Sequence, residues 1–269
     1  MLTIEQTVAR LRQHGCCVLE GVIPADRVDL IRRRVELAVR QHGSIDDSSR
    51  VGSRKGLIAY EQSFARHLSD RRVLGPAEAL FGRHVRISFT SALISYPGCA
   101  RGNLHADWPF NQGNAGHLPA PYPDAVLHLT TIWMLSRFSL ETGATAIVPG
   151  SHRSSNNPSG DNGVDPWRPH PAETRATGEP GSVLLFDSRL WHAVTPNTST
   201  QARVGLVVRY APWWLNLEVL MPGSPERARM VEETGQTENE VVAVPPAVYA
   251  ALPDEVKPLF RHWVRPHPG

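Results

Sequence analysis

A chain of 269 residues is long enough to bury a substantial core and fits one large domain. Its 28 basic and 26 acidic residues leave a formal net charge of +2, too slight to argue for nucleic acid or an anionic membrane surface as a partner. Three cysteines without ligand spacing exclude a disulfide framework, and no apolar run reaches the roughly 18 residues a membrane helix needs, so a soluble protein of the reducing cytoplasm is expected.

Thr3 and Gln6 form the pattern of a capping box, and Ile4, Val8 and Leu11 recur at helical spacing, which predicts a short amphipathic helix ending near Gly15. A strand over 17–22 follows, then a helix over 25–42 whose Val28, Ile31, Val35 and Ala38 share one face. Arg32, Arg33, Arg34 and Arg40 cover the rest of that helix and read as a solvated face rather than a phosphate site. The polar stretch 44–56 is expected to be a mobile loop, and 64–81 to hold one or two helices broken near Gly75-Pro76.

Beyond Val85 the character changes to strands, at 85–96, around His105, at 126–135, 144–148, 183–186 and 204–210. Short strands separated by loops, with no internal repeat, fit a mainly β double-stranded β-helix or jelly roll with flanking helices rather than alternating βαβ units. The last two strands, joined through Thr195-Pro196-Asn197-Thr198-Ser199, read as antiparallel neighbours. Two long loops rich in Gly, Pro and Asn, 111–124 and 153–180, read as substrate lids. Helices at 226–234 and 247–264 follow, and Leu252, Leu259, Phe260 and Trp263 are expected to pack on the chain's own barrel. The whole of 1–269 is expected to be one domain, with a helical N-terminal region over 1–84, a jelly-roll core over 85–214 and a helical extension over 215–269.

The candidate chemistry lies in two short stretches. In His105-Ala106-Asp107, positions i and i+2 of a strand point to one face, aiming an imidazole and a carboxylate at one point. His192, at the end of the 183–186 strand, completes a set of two histidines and one carboxylate that leaves coordination positions open, the ligand type of non-heme Fe(II) oxygenases. Arg203 then directs a fixed cation toward the same cavity, which predicts an anionic ligand beside the metal; Arg209, six positions on along the same strand face, is its rival. Of the 12 histidines, His14, His42, His67, His84, His262 and His267 sit in helical or terminal segments and read as ordinary, and His117 and His170 as loop residues.

The blocks Glu141-Thr142-Gly143-Ala144 and Val148-Pro149-Gly150-Ser151-His152, the run 181–186, then His192, Pro196-Asn197-Thr198-Ser199 and Arg203, in this order, resemble the phytanoyl-CoA dioxygenase family over about residues 11–214. The resemblance implies Fe(II) held by His105, Asp107 and His192, with 2-oxoglutarate as cosubstrate anchored through its distal carboxylate by Arg203. It further implies O2 as oxidant, succinate and CO2 as products, and hydroxylation of a small-molecule substrate. Trp133 matches a family position on the cosubstrate pocket, Thr195 is a weaker candidate there, and the turn before His152 is expected to shape the cavity wall. Trp108 and Phe110, just after Asp107, are assigned to substrate binding. Desaturation, epimerisation or cyclisation by the same centre stays open, as does a cupin-like isomerase or a sensor without turnover. Monomer and homodimer are equally compatible with the sequence.

Overall fold

The computed structural model describes residues 2–108, 120–158, 162–230 and 240–265. Helix α1, Ile4–His14, starts on the expected capping box: Gln6 N donates to Thr3 Oγ1 (3.2 Å) and Thr3 N to Gln6 Oε1 (3.0 Å). It stops at Gly15, whose φ of 81° is the left-handed conformation that glycine adopts without penalty. Strand β1, Cys16–Leu19, is shorter than expected, and α2, Ala25–His42, buries Val28, Ile31, Val35 and Ala38 as its periodicity requires.

The stretch expected to be a mobile loop is instead a hairpin, β2 (Ser44–Asp46) and β3 (Val51–Lys55). Its turn is built by Asp46, whose carboxylate accepts from the backbone N–H groups and hydroxyls of Ser48 and Ser49. The next helix, α3 (Arg71–Phe81), begins at Asp70, whose side chain accepts from Arg72 N, and runs through Gly75 and Pro76 rather than breaking there. Close packing on α1 explains the glycine: a methyl on Gly75 would lie 2.5 Å from Ile4 Cδ1.

Strands β4 (Arg86–Ser95), β5 (Leu129–Met134), β8 (Val183–Asp187) and β10 (Arg203–Ala211) form, with β1 to β3, a seven-stranded antiparallel sheet in the order β1-β8-β5-β10-β4-β3-β2. A second, three-stranded sheet is ordered β7-β6-β9, from β6 (Ala146–Ile147), β7 (Thr174–Arg175) and β9 (His192–Ala193). β8 and β10 are therefore not neighbours, as the sequence suggested; β5 lies between them, because the connection leaves the large sheet, forms β9 in the small one and returns. That alternation between two antiparallel sheets is the jelly-roll plan, and an apolar layer of Ile132, Met134, Phe138, Ile147, Leu184 and Phe186 fills the space between them.

A larger core joins the helical N-terminal region, the outer face of the large sheet and the C-terminal segment, with Leu252, Leu259, Phe260 and Trp263 all in it. The helix expected over 247–264 is divided, α5 (Pro246–Ala251) ending before Pro253 and α6 (Lys257–Phe260) passing into a 3-10 turn. Of the helix expected over 226–234, α4 (Pro225–Met230) is formed and the remainder lies outside the described residues. Trp263 Nε1 donates to the carbonyl of Ile87 at 2.6 Å, fixing the C-terminal segment on β4. Among the described residues no helix is long and apolar enough to cross a membrane.

Candidate active site

His105 and His192 face each other as one antiparallel bridge and exchange both backbone hydrogen bonds, His105 N to His192 O at 3.0 Å and His192 N to His105 O at 2.9 Å. The two imidazoles thus come from directly opposed positions, with ring centroids 4.3 Å apart. Each ring is oriented by its Nδ1, which lies 3.0 Å from Asn103 O in His105 and 2.9 Å from Leu190 O in His192, so that both Nε2 atoms are left for a common centre. Asp107 completes the set, with carboxylate oxygens 3.9 Å from His105 Nε2 and 3.7 Å from His192 Nε2. One ligand atom from each of the three residues lies within 4.8 Å of the others.

Electrostatics suits these groups to a cation. Burial, helped by neighbouring His105, pushes the His192 imidazole down to about 4, so it is a neutral lone-pair donor at pH 7. Burial alone would raise the Asp107 carboxyl, but Arg209, His192 and His105 outweigh it and hold the group below the usual carboxylate range. Two neutral nitrogens and one anionic oxygen, with no fourth protein ligand among the described residues, match a divalent metal that must keep positions open.

The same cavity, about 230 Å3, reaches from this triad to Arg203. Arg203 is 2% exposed; its Nη1 donates to Thr145 Oγ1 (3.2 Å) and its Nη2 to Ser95 Oγ (2.7 Å), and its guanidinium carbon lies 4.6 Å from the Phe138 ring centroid. Its Nε is buried without a partner, and no carboxylate among the described residues pairs with it. Burial lowers its pKa to about 10, which leaves it charged at neutrality. A buried cation surrounded by hydroxyls and an aromatic face is costly unless an anion joins it. Arg209, the rival, has its anion already: Nη2 meets Asp107 Oδ1 at 2.5 Å.

Three expected site residues lie elsewhere. Alternation along β5 turns Thr130 and Ile132 into the cavity and sends Trp133 to the opposite face, 1% exposed, where its Nε1 donates to Thr131 Oγ1. Thr195 does not line the cavity; it is buried and donates to Ala144 O at 2.9 Å, holding the loop after β9. Trp108 packs edge-on against Tyr122 at 5.5 Å, away from the triad, while Phe110 and His117 lie outside the described residues. His152 is structural, but for α1 rather than the cavity: its Nε2 is 3.2 Å from Arg12 O, at the end of that helix. Sequence reasoning misses Thr130, Thr145 and Ser95, whose only signal is a hydroxyl on a strand. Ser53 and Lys55, from β3, also line the cavity.

A jelly roll whose open end gathers two imidazoles and one carboxylate is the framework of the iron- and 2-oxoglutarate-dependent oxygenase class. Within it, the chain belongs to the phytanoyl-CoA dioxygenase (PhyH) family, whose model matches residues 11–205. It is 27% identical over 219 residues to dioxygenase af480 of Aspergillus fumigatus, covering 78% of this chain and 67% of that protein. Its fold is similar to HygX from Streptomyces hygroscopicus, solved with nickel and 2-oxoglutarate bound, at a TM-score of 0.64 and 22% identity over 80% of this chain and 89% of that one. It is also similar to the epimerase SnoN, solved with Fe3+, alpha ketoglutarate and nogalamycin RO, at a TM-score of 0.61 and 19% identity over 78% and 83% of the two chains.

Proposed function

We propose that this protein hydroxylates a small-molecule substrate, consuming 2-oxoglutarate and O2 and releasing succinate and CO2, with Fe(II) held by His105, Asp107 and His192. The observation that carries the reading is Arg203, a buried and charge-unbalanced guanidinium on the wall of the cavity that holds the three donors. Its planar fork takes the distal carboxylate of 2-oxoglutarate, with Thr145 lining the same cavity and Ser95 steadying the guanidinium. Bound Fe(II) supplies the oxygen activation that couples decarboxylation of the cosubstrate to oxidation of the substrate. The protein's residues orient and shield: the Nδ1 contacts of both histidines fix the direction of their donor atoms, and Ile132, Phe186, Leu93 and Val207 keep the cosubstrate space apolar and exclude water. No side chain here needs to act as a general base, since the Asp107 carboxylate and the His192 Nε2 lone pair, the basic groups of the site, would be taken up in holding the metal.

Anaerobic protein given Fe(II) and 2-oxoglutarate is expected to develop a weak visible absorption band, and admission of air to yield more than one succinate per chain. Both should vanish in Asp107→Ala. Iron bound with neither band nor succinate would leave a binding protein in place of the enzyme. Similarity to an epimerase leaves one further outcome for the same hydrogen abstraction, distinguished by whether the product gains an oxygen atom from labelled O2.

A further inference from the structure

We propose that Arg209 is a positioning residue of the metal centre, a rigid clamp that holds the Asp107 carboxylate in the one orientation that serves both imidazoles; this rests on the metal reading above. Asp107 needs such a clamp. It follows the His105 bridge and lies outside any strand, so neighbouring ladder pairs do not fix its side chain, and its backbone N–H donates to Ser188 O at 2.7 Å. What fixes the carboxylate is side chains from other elements. Arg209 Nη2, from β10, takes Oδ1 at 2.5 Å, and Thr130 Oγ1, from β5, takes Oδ2 at 2.9 Å, with Ser188 Oγ 2.7 Å behind Thr130.

The guanidinium is itself immobilised. Its central carbon lies 4.5 Å from the Phe89 ring centroid and its side chain is about one-tenth exposed, and the hydrogen bond that it makes is the one from Nη2 to Asp107. A carboxylate whose two oxygens each accept a protein hydrogen bond has left only the lone pairs that face the histidines. The two hydrogen bonds thereby set which way the carboxylate would present its remaining lone pairs to a metal shared with His105 and His192. The pair lies on the wall of the cavity that holds the three donors.

The test is metal affinity of the apo protein, titrated anaerobically with Co(II) alone, beside its thermal unfolding midpoint without metal. His192→Ala should bind none stoichiometrically; if it binds like wild type, the metal assignment itself fails. Given that control, Arg209→Gln should weaken Co(II) binding about 10- to 100-fold, the usual cost of removing an outer hydrogen-bond partner of a ligand, while Arg203→Gln leaves it unchanged. Arg209→Gln binding as tightly as wild type overturns the proposal. If the glutamine variant does not fold, Arg209→Lys decides: a lysine keeps the charge but loses the fork and the stacking, so Co(II) binding should fall by about 3-fold or more, and a lysine variant equal to wild type overturns the proposal as well.

Discussion

Two arginines on one face of strand β10, Arg203 and Arg209, stand at opposite ends of a single cavity and are solvated by the protein in opposite ways. Arg209 has its counter-charge in the fold, 2.5 Å away in Asp107. Arg203 has two hydroxyls and, among the described residues, no anion, although both guanidinium groups lie over an aromatic ring and both Nε atoms lack a partner. Both are buried, so both carried a desolvation cost on folding, yet only one was compensated by the chain itself. On the proposed function the difference separates structure from function: the balanced end is built to hold its shape, and the unbalanced end would be completed by the cosubstrate carboxylate.

The largest effect that could break this comparison is at the metal donors. His192→Ala is expected to abolish stoichiometric Fe(II) binding, and with it succinate formation, while circular dichroism shows the fold retained. The two arginines should then differ in sign as stability mutants. Arg209→Met leaves Asp107 buried without its cation and should lower the unfolding free energy of the apo protein by about 3 kcal/mol or more in chemical denaturation. Arg203→Met removes an uncompensated buried charge and should leave that quantity within about 1 kcal/mol of wild type, or raise it. In the presence of cosubstrate the ranking inverts. Loss of the Arg203 fork should raise the KM for 2-oxoglutarate about 30-fold or more, the kinetic image of roughly 2 to 5 kcal/mol. A KM that rises only in Arg209→Met would reverse the two assignments.

The smallest effect concerns Asp187, at the end of β8, whose carboxyl is buried and pushed up to about 7 by desolvation, which outweighs the backbone N–H and the charge of Arg189. Its folded pKa lies above the ordinary value of 3.8, so the stability it contributes is full below that value and is lost as pH rises through 7. Asn keeps an acceptor for Arg189 N and removes the titration. Asp187→Asn should therefore stabilise the protein more at pH 8 than at pH 5, by about 1 kcal/mol or more in the difference. An equal gain at both pH values would show that Asp187 titrates as if solvated.

Much of this is legible in the residues. The ends of α1 follow from Thr3, Gln6 and Gly15, because caps are local chemistry. His105, Asp107, His192 and Arg203 can be picked out because two-residue spacing and a recurring block order survive without knowledge of the fold. Sequence reasoning misplaces Trp133 for a physical reason: β5 is buried on both faces, so its residues carry no polar alternation to say which side meets the cavity. The β2–β3 hairpin reads as a loop because β2 is exposed along its length and shows no apolar face. Arg209 can be placed on the face of Arg203 by parity alone, but its pairing with Asp107 joins distant stretches of the chain and is set by the tertiary structure.

The bridge between His105 and His192 has a bearing on the order of events in the life of the chain. No short segment contains the full donor set, and the two histidines become neighbours only when the chain at His105 pairs with β9 at the edge of the small sheet. A nascent or partly unfolded chain therefore offers iron nothing better than scattered single ligands. On the proposed assignment loading would follow assembly, and a bound metal would tie together the two segments that the paired backbone hydrogen bonds of His105 and His192 already join, as a latch on the finished barrel.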